Sequence, residues 1–539
     1  MFLSGNGDVV DELSYSSLYR RAGALACDLD SRGLRQTRVL IALPSGLDFV
    51  VAFYACLLAG VIAVPIPYIP GRQAEKRVKS VSQDAHASAL ITMSTADAEL
   101  NTLLHEEACT LPRVYVDQPR PEMHKGLEAV GADAVAFIQY TSGSTSSPKG
   151  VMLTNGNLIS NCAMITDAFS DNEESCGVGW LPLFHDMGLI GHVLQPVYIG
   201  ALSVLMSPLT FLQRPLRWLE AISKWRATTS GGPTYAFELC LRMIPEDVSK
   251  LDLSSWAVAY SGAEPVRQDV LERFAKRLEP CGFSAQSLQP CYGLAEATLL
   301  VTSTSRADRL TTKAPAPGEQ LITVSNEVVN CGRTWGAASV TITDAESGAL
   351  LPDGQIGEIN VQGPNVSPGY WIGSLADDER APAQASPRIL NTGDLGFLSK
   401  GDLYVVGRLK DTVIVLGRNH VAEDIEATIR EIDPAFALSP AAVFAVDIDG
   451  REHAVAVQEV LPRRLGPDQG RQAQEAAFTA VTREHGLQLC DLMLVKSGAL
   501  PRTSSGKVQR VLAKASYLDG SFDRVIGPPS FAGIASSAV

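Results

Sequence analysis

The chain has 539 residues, of which 46% are hydrophobic, and a formal net charge of -14. A chain of this length can bury a large core and is expected to divide into two or more domains. The acidic balance argues against nucleic acid or an anionic membrane as a partner, since both need a basic surface. Ten cysteines occur singly, without close pairs or a nearby His cluster. This pattern favours reduced cytoplasmic thiols over a zinc site or a disulfide framework.

One stretch resembles a membrane span. Residues 49–71 carry no charge and are long enough to cross a bilayer, but glycines and prolines interrupt the second half. Apolar runs of these lengths suit a buried helix to about residue 58 and a buried strand near 61–66. The N-terminus also lacks the basic region of a secretory signal. We therefore predict neither a transmembrane segment nor export.

The first part of the chain alternates helical and strand patterns. A helix is predicted over 14–29, with strands over 38–42 and 89–92 around the helix and strand just described. Such alternation indicates parallel strands covered by helices, an α/β architecture. Residues 341–363 change to short alternating segments with Asp-Gly turns, which predicts a small β-rich subdomain with an antiparallel sheet.

The last part of the chain reads as a compact α+β unit. Its predicted elements are a strand at 413–416, a helix at 422–432, strands at 441–448 and 453–460, a helix at 471–485 and a strand at 491–495. We place the domain boundary at Lys410. The expected organisation is a large layered N-terminal domain, 1–409, and a smaller C-terminal domain, 410–539.

A loop rich in Ser, Thr and Gly, residues 140–150 (YTSGSTSSPKG), follows an apolar strand pattern and precedes a helical one capped by Thr154 or Asn155. Its glycines, hydroxyls and Lys149 are what a phosphate-holding loop needs. A surface linker is the alternative. A nucleotide-hydrolase loop of the GxxxxGK[ST] type is excluded, because Pro148 replaces its second glycine and Gly150 its metal-binding hydroxyl.

Six further stretches combine polar, glycine and aromatic residues in apolar surroundings: 180–188 (WLPLFHDMG), 230–233 (SGGP), 261–265 (SGAEP), 291–296 (CYGLAE), 391–394 (NTGD) and 501–507 (PRTSSGK). In this order after the Ser/Thr/Gly loop, they resemble the adenylate-forming superfamily of acyl-CoA synthetases, peptide-synthetase adenylation domains and luciferases. The resemblance covers nearly the whole chain. Residues 139–145, 181–191, 211–222, 230–233, 407–411 and 417–420 are most similar to the fatty acyl-AMP ligases.

The resemblance implies an ATP and acyl site in the N-terminal domain and a mobile C-terminal domain that brings Lys507 to the α-phosphate. Glu296 is implied to bind Mg²⁺, a hard cation that suits a carboxylate, while Asp394 and Arg408 match ribose-contacting positions. The full set of residues implied to contact ATP or AMP is Thr141, Ser142, Gly143, Ser144, Thr145, Lys149, Gly262, Ala263, Glu264, Tyr292, Gly293, Leu294, Asp394 and Arg408.

His185 matches a family position beside the α-phosphate and the acyl entrance, so it is a candidate catalytic residue; a satisfied core histidine is the alternative. The acyl chain needs an apolar tunnel, predicted to be lined by 188–198 and 231–239. Within these segments, the glycines whose missing side chains leave space are Gly188, Gly191, Gly231 and Gly232. Ordinary packing is the alternative for each of them.

The similarity implies a fatty acid and ATP as substrates, Mg²⁺ as cofactor and a holo acyl carrier protein as acceptor, in lipid, polyketide or lipopeptide synthesis. In the fatty acyl-AMP ligases, an insertion after the Tyr-Gly-x-x-Glu motif hinders the domain rotation that coenzyme A requires. Residues 301–330 occupy that place here, and they are polar, Pro-rich and shorter than usual. A fatty acyl-CoA ligase and a catalytically silent acyl-adenylate-binding protein therefore stay as alternatives.

Overall fold

The computed structural model describes residues 1–68, 72–96, 110–118, 120, 126–141, 149–316, 322–323, 327–371, 388–415, 418–436, 439–448, 451–460, 466–502 and 508–526. Within these ranges the chain forms two large mixed sheets covered by helices, a small antiparallel sheet, and a C-terminal α+β unit. This is the predicted fold class, with its parallel strands in the first part and its antiparallel strands where the Asp-Gly turns begin.

The first large sheet has nine strands, and its interior is parallel while its edges are antiparallel. In spatial order the strands are Arg333–Thr334, Leu300–Ser303, Leu288–Gly293, Val258–Ser261, Thr229–Gly232, Cys176–Gly179, Leu202–Met206, Phe2–Leu3 and Val9–Asp11. Its parallel centre is buried on both faces, which explains why these strands read as continuous apolar or small-residue runs.

The second large sheet has seven strands and carries the Ser/Thr/Gly loop. Its spatial order is Gly369–Trp371, Lys149–Thr154, Val135–Thr141, Ile62–Pro65, Arg38–Ile41, Ala89–Thr92 and Arg113–Tyr115. The uncharged stretch after residue 49 forms part of its core, as the buried helix Leu47–Ala59 followed by the buried strand Ile62–Pro65. Over the ranges given above, no helix has both the length and the apolar character needed to cross a bilayer.

Helices pack against both large sheets. The first begins at the N-cap Ser14, whose side chain accepts from the backbone N–H of Ser17, as predicted within two residues at either end. Among the described residues up to 278, the helices are Tyr15–Ser31, Leu47–Ala59, Arg72–Asp84, Asn155–Phe169, Asp186–Leu189, Gln195–Ile199, Pro208–Gln213, Leu216–Trp225, Thr234–Met243 and Gln268–Leu278, with a π-helical turn at Ile190–Leu194.

The small antiparallel sheet contains the strands Ser339–Thr343, Gly357–Gln362, Ile389–Ser399 and Asp402–Arg408. It confirms the predicted β-rich segment and extends it by two strands. Residues of the 301–330 segment lie on it: the Lys313 ammonium donates to the Ser399 hydroxyl at 2.5 Å, and the Asn330 side-chain amide donates to Asp402 at 3.0 Å. That segment is therefore anchored to the small sheet at two points.

The C-terminal unit contains every element predicted for it. Helices Ala422–Glu431, Pro467–His485 and Arg510–Leu518 pack with the sheet Ala441–Ile448, Arg451–Val460, Leu489–Lys496 and Arg524–Ile526, and a second small sheet joins Ile322–Thr323, Arg418–Val421 and Thr412–Val415. The predicted boundary residue, Lys410, lies in the 3₁₀ turn Leu409–Asp411. Placing the domain boundary there stays a prediction.

A buried arginine ties that turn to the C-terminal unit. The Arg510 guanidinium lies 3.0 Å from Asp411, 2.9 Å from Glu423 and 2.7 Å from Glu426. Burial raises the pKa of Glu426, and the charge of Arg510 opposes that shift. The guanidinium therefore compensates several carboxylates that would otherwise repel one another out of water.

We predict that Arg510→Met destabilises the C-terminal unit by about 3–5 kcal/mol, because it leaves buried carboxylates unpaired. Removing the cation raises the pKa of Glu426 further, and protonation then relieves part of the loss, so the deficit is larger at pH 8 than at pH 5. Hydrogen–deuterium exchange in strands Ala441–Ile448 and Leu489–Lys496 measures the opening free energy. The exposed pair Arg471–Asp468 supplies the control Arg471→Met, which should cost at most about 1 kcal/mol.

Candidate active site

The Ser/Thr/Gly loop joins two antiparallel strands, Val135–Thr141 and Lys149–Thr154. The second strand was not predicted, because the sequence pattern gave only a helix capped at Thr154 or Asn155 after the loop. The reason is that 149–154 is short and half polar, and its strand state depends on a partner on each side. Thr141 and Lys149 pair at the mouth of the loop, where the Thr141 hydroxyl donates to the Lys149 carbonyl at 3.5 Å. The remaining predicted loop contacts, Ser142, Gly143, Ser144 and Thr145, lie outside the described residues.

The predicted helix follows the second strand, as Asn155–Phe169. Its N-cap is Thr154, the first of the two predicted caps. The Thr154 side chain accepts from the Asn157 N–H, and the Asn157 side chain accepts in return from the Thr154 N–H. This capping box fixes where the strand stops and the helix starts.

A distant strand, Gly369–Trp371, completes the loop's surroundings. It pairs antiparallel with the second loop strand, so that Tyr370 faces Val151 in register and Trp371 faces Gly150. The Trp371 indole N–H donates to the Asp84 carbonyl at 3.0 Å, and the Arg38 guanidinium lies 4.5 Å from the ring centroid. These contacts fix a segment more than 200 residues away in sequence beside Lys149.

Tyr370 brings two predicted site residues together. Its hydroxyl donates to a carboxylate oxygen of Glu296 at 2.7 Å, and the Lys149 ammonium lies 5.3 Å from its ring centroid. Burial, followed by the charge of Glu296, raises the pKa of Tyr370, so the hydroxyl keeps its proton and donates at neutral pH. The predicted phosphate lysine and the predicted metal ligand therefore lie around one side chain.

The turn that carries Glu296 is clamped to the segment before Tyr370. The backbone N–H of Ser367 donates to the Glu296 carbonyl at 2.9 Å, and the Thr298 hydroxyl donates to the Asn365 carbonyl at 2.6 Å. Thr298 has a φ of 71°, which is rare for a β-branched residue. Such strain persists only where the surroundings enforce it, and it is common at functional sites.

Four residues before Glu296, Tyr292 begins a second cluster. Its hydroxyl donates to Asp394 Oδ2 at 2.7 Å, and Arg408 Nε donates to Asp394 Oδ1 at 2.9 Å. The Asp394 side chain is only 7% exposed, whereas that of Arg408 is 53% exposed. Asp394 raises the pKa of Arg408, and Glu296 adds to this effect, which places the two clusters within electrostatic reach of each other. The three residues assigned to adenosine thus form one hydrogen-bonded group.

The remaining predicted nucleotide residues lie at the carboxyl ends of neighbouring parallel strands. Gly262 follows Val258–Ser261, and a Cβ added there would lie 2.8 Å from the carbonyl oxygen of Cys291, next to Tyr292. The Glu264 carboxylate accepts from the Tyr235 N–H at 2.6 Å, at the start of the helix Thr234–Met243. Ala263, Gly293 and Leu294 lie at the same strand ends. Ala263 has a φ of 67°, and a Cβ added at Gly293 would lie 1.7 Å from the Leu299 carbonyl oxygen.

His185 is the N-cap residue of the helix Asp186–Leu189. The preceding residue, Phe184, accepts through its carbonyl from the Gln139 side-chain amide at 2.9 Å, and Gln139 belongs to the first loop strand. His185 therefore lies beside the strand that leads into the loop. Its catalytic role stays a prediction.

Packing accounts for three of the four glycines assigned to the acyl tunnel. A Cβ would lie 2.1 Å from the Pro182 carbonyl oxygen at Gly188, 2.1 Å from the Tyr260 carbonyl oxygen at Gly231, and 2.9 Å from the Trp180 ring at Gly232. At Gly191 the nearest atom is 3.9 Å away. Close packing against a carbonyl or a ring accounts for glycine at the first three positions, and the acyl role of these glycines stays a prediction.

An apolar cavity of about 850 Å³ lies at the far end of the helical run that starts after His185. Leu194, Val197 and Tyr198 of the predicted tunnel segment line it, together with Leu57 and Leu158 from two other helices. The second predicted segment, 231–239, does not contribute to it. His192, on the same helical run, is buried, and its Nε2 lies 2.7 Å from the Tyr260 hydroxyl oxygen. Burial lowers the pKa of His192 to about 4, so the imidazole is neutral at pH 7.

Magnesium ions in proteins are commonly held by one or two carboxylates together with substrate phosphates. Glu296 offers one such carboxylate. Its Oε1 accepts from the Tyr370 hydroxyl, which leaves Oε2 as the second oxygen, and the Lys149 ammonium lies over the ring of the same tyrosine. Within the described part of the chain, no group of three or more His, Cys, Asp or Glu side chains could hold a metal ion by itself. The site therefore fits a cation delivered with a nucleotide.

Sequence reasoning missed Tyr370. The residues 369–371 (GYW) carry no charge and belong to none of the stretches that supplied predicted site residues. Only the strand pairing brings the hydroxyl to Glu296. The aromatic pair after a glycine is the one local signal, and by itself it predicts an ordinary strand.

The fold brings together several of the residues that the sequence analysis assigned to a nucleotide, which is the arrangement expected of a nucleotide-binding enzyme. The AMP-binding enzyme family model matches residues 5–371, and the chain belongs to that family. Residues 410–525 match a second model, the AMP domain of Disco-interacting protein 2-like proteins.

Relatives and solved structures agree with this assignment. A medium-chain-fatty-acid–[acyl-carrier-protein] ligase, JamA of Moorena producens, is 37% identical, with 97% of this chain and 93% of JamA covered. A structure from studies of fatty acyl-adenylate ligases of E. coli and L. pneumophila is 32% identical with a TM-score of 0.86, covering 96% of this chain and 95% of the other. An L. pneumophila fatty acyl-adenylate ligase in complex with acyl adenylate and pyrophosphate is 32% identical with a TM-score of 0.69, covering 96% and 93%.

We predict that Tyr292→Phe weakens ATP binding about tenfold, because a hydrogen bond to a charged group contributes about 1.5–3 kcal/mol and 1.4 kcal/mol corresponds to tenfold. The variant retains the ring and loses the hydroxyl that donates to Asp394. Isothermal titration calorimetry measures the change. Tyr404→Phe is the matched control, since that tyrosine stacks on Phe397 in the same sheet as Asp394, and it should leave the affinity within twofold of wild type. Equal losses in both variants would contradict the assigned role.

Proposed function

We propose that this chain is a fatty acyl-AMP ligase, which activates a fatty acid with ATP and passes the acyl group to the phosphopantetheine thiol of an acyl carrier protein. The observation that carries the proposal is the single turn from Tyr292 to Glu296. It joins the Asp394–Arg408 group to the Lys149–Tyr370 group. The residues assigned to the nucleoside and those assigned to the polyphosphate are thereby connected over four residues.

In the first step, a carboxylate oxygen of the fatty acid attacks the α-phosphorus of ATP. The bond from that phosphorus to the bridging oxygen breaks, and pyrophosphate leaves while the acyl-phosphate anhydride forms. Asp394 accepts hydrogen bonds from the ribose hydroxyls, and Lys149 lies at the mouth of the loop that holds the β- and γ-phosphates. Fixing the nucleotide in this way aligns the leaving group with the attacking oxygen.

Charge on the phosphates has to be offset as the first step proceeds. Glu296 is the residue that would hold Mg²⁺, which supplies positive charge to the phosphate oxygens when it is bound. Lys149 contributes a second positive charge from the protein. Lys507 is assigned to the α-phosphate by its motif, and it lies outside the described residues.

In the second step, the carrier-protein thiolate attacks the acyl carbonyl carbon and AMP leaves. The carrier-protein ligase name of JamA supports this acceptor. So does the backbone of the 301–330 segment, because Ile322–Thr323 pairs in parallel with Asn419–His420 on the C-terminal side of Lys410. A segment hydrogen-bonded on both sides of that boundary opposes the rotation that coenzyme A requires.

The acceptor is tested by incubating the enzyme, ATP, Mg²⁺ and a panel of fatty acids with a holo carrier protein and, separately, with coenzyme A. Mass spectrometry should find acyl-carrier protein formed at least ten times faster than acyl-CoA. Efficient acyl-CoA formation would instead favour the fatty acyl-CoA ligase. Absence of ATP–pyrophosphate exchange with every acid would favour the silent acyl-adenylate-binding protein.

We expect Lys507→Ala to abolish acyl-adenylate formation while ATP affinity stays within a few-fold of wild type, since the lysine acts on the α-phosphate only when its domain closes. Pyrophosphate exchange and calorimetry measure the two quantities separately. Lys496→Ala, at the end of a strand in the same unit, is the control and should retain exchange. Normal exchange in Lys507→Ala would show that another residue fills this role.

A further inference from the structure

Tyr370 contacts two residues of the proposed nucleotide site. Its hydroxyl donates to Glu296, and the ammonium of Lys149 lies over the face of its ring. One neutral side chain thus stands between a cation and an anion that both belong to the phosphate region. We propose that Tyr370 is a positioning residue that orients Glu296 for the magnesium of MgATP and keeps Lys149 and Glu296 from pairing with each other.

The hydrogen bond provides the first half of this role. A phenol that donates to a carboxylate forms a short, charge-assisted bond, which selects one rotamer of a flexible glutamate. The bond occupies one carboxylate oxygen, Oε1, and leaves the lone pairs of Oε2 for a cation. Without the phenol, Glu296 has to lose its rotational freedom at the moment a cation binds, which weakens binding.

The ring provides the second half. Lys149 gains a cation–π contact, which is weaker than an ion pair with a carboxylate and is readily exchanged for a phosphate. If the ring were absent, the ammonium and the carboxylate could move together and neutralise each other. Both would then have to separate before ATP binds, and the nucleotide affinity would fall even without metal.

Neighbouring contacts fix the strand that carries Tyr370. Trp371 is fixed by its indole bond to Asp84 and by the guanidinium of Arg38, while the Ser367 N–H binds the backbone of Glu296 itself. The tyrosine is therefore held between two anchored neighbours. Its backbone position relative to the glutamate is set by strand pairing and by the Ser367–Glu296 hydrogen bond.

The test uses binding of ATP in the absence of fatty acid, measured by calorimetry in EDTA and at increasing Mg²⁺. The readout is the ratio of the affinity with saturating Mg²⁺ to the affinity in EDTA. In Tyr370→Phe we expect this ratio to fall at least fivefold, with the EDTA affinity within twofold of wild type. In Tyr370→Leu the EDTA affinity should fall at least threefold as well, because the ring is gone.

A double-mutant cycle separates positioning from general structure. In a Glu296→Gln background, Tyr370→Phe should leave the ratio unchanged, since its target is already neutral. Trp371→Phe removes an anchor of the same strand and should lower the melting temperature without changing the ratio. An unchanged ratio in Tyr370→Phe, or an equal effect of Trp371→Phe, would overturn the inference.

The inference rests on the proposed function, and the two fail differently. A wild-type protein with no magnesium effect on ATP binding and no acyl-adenylate formation would refute the proposed function and the inference with it. A wild-type protein that shows both, together with a Tyr370→Phe variant that matches it, would refute the inference alone.

Discussion

The pairing of Gly369–Trp371 with Lys149–Thr154 is the constraint on which the site depends. Each strand is short, and neither forms a stable sheet alone. Together they bring Tyr370 to the mouth of the phosphate loop and hold it beside Glu296. Backbone hydrogen bonds set the position of the Tyr370 main chain, from which its side chain contacts Glu296 and Lys149.

A second feature of the site is that a buried charged group is paired with a partner that reaches solvent. Asp394 is nearly buried, and it accepts hydrogen bonds from the Tyr292 hydroxyl and from the Arg408 guanidinium, whose own side chain reaches solvent. A buried carboxylate with two donors is oriented before a ligand arrives. The reverse arrangement occurs at Arg510, where one buried cation pairs with three carboxylates in the C-terminal unit and the turn before it.

The glycines assigned to the acyl tunnel also have a packing role. Gly188, Gly231 and Gly232 stand in segments that the acyl chain was predicted to line, yet each is required by a carbonyl or a ring that would contact any side chain. The apolar cavity lies further along, at Leu194 and Val197. At these three positions the missing side chain therefore allows close packing, and the apolar space lies elsewhere along the chain.

Much of the fold could be predicted, because its signals are local. Periodicity gave the helix Ala422–Glu431 and the strand Ala89–Thr92 to within a residue. The strand Lys149–Thr154 was missed, since it is short, half polar and stabilised by its partners on both sides. Burial removed the membrane alternative for the uncharged stretch that contains Leu47–Ala59.

The sequence by itself determined the kind of chemistry, because a carboxylate, a lysine or a glycine-rich loop keeps its chemical character wherever the chain places it. It thereby provided Glu296, Asp394 and Lys149 as separate candidates. Only the tertiary structure decided which of them meet. Tyr370 became part of the site because a strand distant in sequence pairs beside the loop, and such pairing depends on register and closure that no local pattern encodes.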